Sequence, residues 1–271
     1  MAARTLFNEI IRAHHIATPI SAAISFQRAD DALEAAQKLN ELSFDLAPVI
    51  ERGAPVGLFR TATARAGTVG KCMDELQVSM IVAASTPLTN VVHSLAECLF
   101  LFVIEGSAIS GFITPTDLGS HAGRTHYYML LADLEISLYK YLRERFPQQT
   151  DAIALLSDNR REEHAHLVTK LRRTDTFVDE LSAVSLNDLL TIAGRDRALH
   201  ELTGPSPFSW AAASRGLADF RNDVMHPSRD LQRGKDPRTF AGRLAKKERN
   251  ITALIDATAL ARRNLKSRAS C

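Results

Sequence analysis

The sequence predicts an α+β N-terminal half followed by an all-α C-terminal half, read as residues 1–120 and 122–271. The division rests on three observations. Val49–Gly57 aligns without gaps on Val103–Gly111. Each of these blocks joins two short apolar runs across a turn containing Gly or Ser, the pattern of a β-hairpin. Beyond about His121, apolar residues recur only at helical spacing.

The elements follow in order. Ala23–Phe26 and Val78–Val82 read as short strands. An amphipathic helix precedes each hairpin: Asp30 to Leu42, with Leu33, Ala36, Leu39 and Leu42 on one stripe, and Pro87 to Leu99, with Leu88, Val91, Val92 and Leu95. The unit is strand, helix, strand, strand, used twice, as residues 14–64 and 70–120. A repeated unit of this size usually stacks on its twin to close one core. Further helical segments are expected at His126–Phe146, at Thr150–Ser157 and Arg160–Arg173 (one helix or a bent pair), and at Ser185–His200, Phe208–Met225 and Pro237–Lys266. Ser185 is the expected N-cap of the fourth of these, and Gly204–Pro207 a loop. Together they describe a helical bundle.

With 271 residues the chain is long enough for about two domains. Its 45% apolar and 24% charged residues are those of a globular protein. The longest apolar run, Cys98–Ile104, is far below the roughly 20 residues of a membrane span. Glu9 and His14 interrupt the region where a secretory leader needs its apolar core. Cys72, Cys98 and Cys271, an odd set without CxxC spacing, fit a reducing compartment, so a cytoplasmic location is expected. Net charge is +2 but uneven. From Arg229 to Cys271 twelve Lys and Arg face four acidic residues, a net +8, leaving −6 on the remainder. A basic segment of this kind suits a polyanionic partner or forms a solvated helix face.

The repeats, with Gly111-Phe-Ile-Thr114-Pro-Thr-Asp117 after the second hairpin, resemble a tandem CBS-domain pair. In that family a Gly, two apolar residues, Thr or Ser, two variable residues and Asp form the ligand motif. The second copy matches it fully. The first departs from it, with Arg60 in place of Thr and Thr63 in place of Asp. The resemblance implies at most one well-formed adenine-nucleotide site (AMP, ADP, ATP or a related ligand), built on Gly111, Thr114 and Asp117. The chemistry agrees: a carboxylate accepts from both ribose hydroxyls, and a threonine hydroxyl reaches ribose or phosphate. Both residues flank an expected helix start, whose N–H groups favour anions. Arg60 either reaches a phosphate or spoils the other site, and a Thr–Asp N-cap without ligand is the plain structural alternative.

Arg221-Asn222-Asp223-Val224-Met225-His226, closed by Pro227, stands at the end of an apparent helix. It pairs a fixed cation with a group that moves protons near neutral pH. The segment resembles the Rx4–6H signature of the HEPN superfamily. That resemblance, covering residues 122–271, implies a metal-independent endoribonuclease of toxin-like or defence type, working as a homodimer on RNA with no cofactor for catalysis. In the implied mechanism the 2′-OH attacks, His226 acts as general base or acid, Arg221 holds the phosphate, and Asn222 orients His226 or donates a hydrogen bond to the phosphate. Glu135 on the first bundle helix is an accessory candidate. Ion pairing or helix C-capping by Arg221 and His226 is the structural alternative.

Other constellations are weaker. Glu162 and His166 share a helix face but lack the four ligands of a structural zinc site. His14 and His15 read as surface, and Tyr127-Tyr128 as core. No metal site, P-loop, dinucleotide fingerprint, DNA-reading motif or membrane anchor is evident. The reading is a nucleotide-regulated endoribonuclease, with a non-catalytic nucleotide-sensing adaptor for RNA or protein as the alternative.

Overall fold

The computed structural model describes residues 10–174, 178–204 and 206–269. The expectations for Glu9 and Cys271, and for Pro205 in the Gly204–Pro207 loop, lie outside them. The chain divides into two compact units. One comprises Glu9–Gly123 and Gln232–Gly242; the other holds Arg124–Leu231 and Arg243–Cys271. Among the described residues no helix is long and apolar enough to cross a membrane.

The first unit is α+β. Its elements are β1 (Thr18–Pro19), α1 (Ala32–Glu41), β2 (Leu46–Glu51), β3 (Ala54–Arg60), β4 (Asp74–Glu75), β5 (Ile81–Ala83), α2 (Leu88–Cys98), β6 (Leu101–Glu105) and β7 (Ala108–Ile113). Two sheets form, ordered β1-β7-β6-β5 and β2-β3-β4. The aligned blocks are the antiparallel hairpins β2–β3 and β6–β7. Their register slips at matching positions, Val49/Ile50 and Val103/Ile104. β3 pairs with β4, the short strand at the start of the second repeat, and β7 pairs with β1, the short strand at the start of the first. Each repeat therefore borrows an edge from its twin. Gly57 and Gly111 permit this exchange: a Cβ on Gly57 would stand 2.3 Å from the Asp74 carbonyl oxygen, and one on Gly111 2.7 Å from that of Thr18.

Two expectations change here. The strand expected at Ala23–Phe26 is reduced to a parallel bridge from Phe26 to Val49, and Val78–Met80 is a 3-10 turn preceding β5. The α1 stripe also differs. Ala32, Ala35, Ala36 and Leu39 are buried, whereas Leu33 and Leu42 are about half exposed. Small alanines let α1 approach Val49, Phe59 and Val69 closely, so the face with the larger side chains is not the inner one. Each fully buried Leu or Phe here contributes about 1.5–3 kcal/mol.

The second unit is helical: α3 (His121–Arg145, its first three residues in the first unit), α4 (Gln149–Ile153), α5 (Asp158–Leu171), α6 (Leu186–Arg195), α7 (Arg197–Thr203), α8 (Pro207–Ser214), α9 (Leu217–Met225) and α10 (Pro237–Ala269). Tyr127, Leu130, Leu131, Leu134, Leu138 and Tyr141 of α3 are buried as their spacing predicts, but Tyr128 is half exposed. Two expected helices are each broken in two. Asp196 ends α6 and caps α7 by accepting from Ala198 N at 3.1 Å. Its other oxygen takes the Tyr141 hydroxyl at 2.5 Å. Gly216, at φ +66°, separates α8 from α9. Lys247 Nζ then donates to the exposed end of α8, at Arg215 O, over 2.8 Å. Gly216→Ala forces an L-residue into the left-handed region, where a Cβ costs about 1–2 kcal/mol. A lower urea midpoint with an unchanged slope is the expected result.

Candidate functional site

In the α+β unit, Thr114 follows β7 in extended conformation and Pro115–Gly119 forms a 3-10 turn. The α-helix start expected after Thr114 is thus one short turn opened by proline. It offers no row of N–H groups for an anion. Asp117 folds back on Thr114. One carboxylate oxygen accepts from Thr114 N at 2.7 Å and from Thr114 Oγ1 at 2.8 Å. The nearby Thr18 side chain also favours the charged form of this carboxylate. Even so, burial raises the Asp117 pKa above the usual carboxylate range, because desolvation outweighs these hydrogen bonds.

Thr114 and Asp117 line a cleft of about 970 Å³ in this unit. Its apolar wall includes Ile24, Leu46, Phe100 and Phe112, the two phenylalanines stacked with centroids 5.3 Å apart. Arg60 also lines it, but its Nε donates to Asp74 at 2.9 Å. Gly111 is absent from the lining; it serves the close approach of β1 to β7. A flat apolar wall, a carboxylate and a hydroxyl suit a ligand with an aromatic ring and a diol.

In the helical unit, α9 carries Arg221 and Asn222, and His226 follows its last residue. Arg221 Nε lies 3.6 Å from Glu135 Oε1 on α3, so two of the sequence candidates meet. Both are partly exposed, and Asn222 and His226 are exposed. His226 has left the helix, at φ −107° and ψ 95°. The imidazole is therefore carried by the residue just past the helix end.

The loop beyond α9 is held by Arg124, a residue outside the motif. Its Nη1 donates to Asp223 O at 2.9 Å and to His226 O at 3.4 Å, and its Nη2 donates to Arg229 O. One planar guanidinium thereby caps the end of α9 and gathers the turn beyond it. The charge of Asp223, which is buried, faces Arg229 at 3.6 Å. The only sequence signal for Arg124 was a cation at the start of a helix, where cations are not favoured by the dipole. The Arg160–His166 segment is salt-bridged: Arg160 Nη2 reaches Asp188 at 2.5 Å, and His164 Nε2 bonds Glu180 O at 2.8 Å.

No family model and no curated protein matches the chain. Among solved structures it is similar to the CBS domain of a bacterial CNNM/CorC family Mg2+ transporter in complex with ATP. The identity is 15% over 42% of this chain and 87% of that one, with a TM-score of 0.37. It is similar to the CBS domains of a transcriptional regulator from Streptococcus pneumoniae, at 18% identity over 40% of this chain and 97% of the other, TM-score 0.36. It is also similar to CBSX2 in complex with AMP, at 18% identity over 40% and 92%, TM-score 0.36.

Proposed function

We propose that the α+β unit is a tandem CBS pair that binds one adenine nucleotide, and that the helical unit is the output it regulates. One observation carries the reading: Thr114 and Asp117 of the complete motif converge on a cleft with an aromatic wall. The purine lies against that wall, and Asp117 accepts from the ribose hydroxyls. The incomplete first copy, with its arginine tied to Asp74, accounts for a single site.

Asp117→Asn tests this with two opposed signs. Because burial raises the Asp117 pKa, ionising the carboxyl at neutral pH costs folding stability. The unfolded chain releases this proton at lower pH than the folded one, so stability falls as pH rises from the unfolded pKa through the folded one. Asparagine removes that cost while keeping one acceptor oxygen. The expected outcome is a higher Tm at pH 7 together with weaker nucleotide binding. Wild-type affinity should likewise fall on acidification, beginning above the usual carboxylate range. Unchanged affinity in Asp117→Asn would remove Asp117 from the site.

A second reading concerns the helical unit, and the approach of Arg221 to Glu135 beside the loop-borne His226 favours it. In this reading the unit is a metal-independent endoribonuclease of the Rx4–6H type, active as a homodimer. The RNA 2′-OH attacks its own phosphate. His226 moves the proton, Arg221 steadies the phosphorane-like charge, and Glu135 holds Arg221 in place. The products are a 2′,3′-cyclic phosphate and a 5′-OH end.

A further inference from the structure

The cleft in the α+β unit is completed by a segment far away in sequence, Gln232–Gly242, which belongs to the same compact unit. Asp236, Pro237 and Arg238 from it line the cleft alongside Thr114 and Asp117. The charges there have unequal duties. Arg60 is committed to Asp74. Asp236 caps α10, accepting from Thr239 N at 3.0 Å, and the Thr239 side chain, then this backbone bond, hold its carboxyl below the usual range. Arg238 is exposed and has no salt-bridge partner among the described residues. Asp45 and Asp236 add negative charge to the same lining.

Resting on the reading of the cleft as a nucleotide site, we propose that Arg238 is its phosphate-reading residue, and that the site takes a nucleoside monophosphate in preference to a triphosphate. The 3-10 turn after Thr114 supplies no helix N-terminus for the phosphate. A guanidinium matches one phosphate with two parallel N–H bonds. One uncommitted cation balances one phosphate; further phosphates meet Asp45 and Asp236 without compensation. α10 is continuous from Pro237 to Ala269, and its residues from Arg243 onward belong to the helical unit. A ligand held by Arg238 therefore acts directly on a helix of the output unit.

The experiment is calorimetric titration of the full-length protein with adenosine, AMP and ATP, without divalent cations, in wild type, Arg238→Gln and Arg238→Lys. Wild type is expected to bind AMP about 10-fold or more tighter than adenosine, the scale of one charged hydrogen-bond pair, and to bind ATP more weakly than AMP. Arg238→Gln should reduce AMP to the affinity of adenosine and leave adenosine unchanged. Arg238→Lys should restore part of the difference. Amide exchange over residues 237–242 should slow with AMP in wild type but not in Arg238→Gln. If Arg238→Gln keeps the wild-type AMP-to-adenosine ratio, or wild type prefers ATP, the assignment of Arg238 is overturned while the nucleotide site stands. Binding of none of the three ligands would overturn both.

Discussion

Alanine at His226 is expected to lower RNA cleavage in EDTA by about 10²–10⁴-fold, the range for a positioned general acid–base group. His226 lies just past the end of α9 in extended conformation, so its ring is exposed and removing it disturbs no packing. Its Tm should therefore match wild type, which separates lost chemistry from lost folding. Arg221→Ala is expected to weaken RNA binding as well as turnover, because it removes a phosphate partner and leaves Glu135 uncompensated nearby. Arg124→Ala supplies the positioning control. It frees three carbonyls, of Asp223, His226 and Arg229, and lets the His226 loop wander. Turnover should fall with little change in RNA affinity, and lysine should rescue poorly, since an ammonium cannot span the carbonyls as a planar fork does. The assay is gel-resolved cleavage of mixed RNA with end-group analysis. Full activity in His226→Ala would end the endoribonuclease reading and leave a nucleotide-sensing adaptor.

What the sequence made legible was local or repeated. Val49–Gly57 and Val103–Gly111 announced two hairpins by their likeness, and the two carry the same register slip. Buried positions of α3 followed from spacing because that helix is long and sided. Breaks were harder. Asp196 and Gly216 each carry a residue type that caps or breaks helices, yet the apolar rhythm continues across both and hides them. The inner face of α1 was misread because close approach of a helix favours alanine over leucine, a condition set by the opposing sheet. Arg124 left only a faint mark, a cation at the start of a helix, and Arg238 left none. Arg124 bonds residues about a hundred positions away along the chain, and Arg238 lines a cleft with residues as distant, pairings that no local pattern announces.

The second large effect is expected inside the helical unit. His126 Nε2 and Glu248 Oε1 meet at 2.6 Å, at 2% and 1% side-chain exposure. Removing one partner of a buried ion pair costs about 3–5 kcal/mol, and of a buried neutral hydrogen bond about 1–3 kcal/mol. Glu248→Ala is therefore expected to cost about 3 kcal/mol, where the ranges meet. Glu248→Gln should cost less, since its amide oxygen still accepts. The neighbouring ring of Tyr127, fully buried and edge-on to Phe220, gives a contrast. Burial, then the charge of Glu248, pushes its phenol well above the usual range, and its hydroxyl has no hydrogen-bond partner among the described residues. Tyr127→Phe removes a polar atom that burial penalises, so it should be neutral or stabilising by on the order of 1 kcal/mol. Urea unfolding of these variants and of His126→Ala/Glu248→Ala decides the matter. A double variant costing as much as the sum of the singles would mean the pair is not coupled. A cost well below that sum assigns the stability to the pair itself, which locks α3 to α10 beneath the helix that carries Arg221.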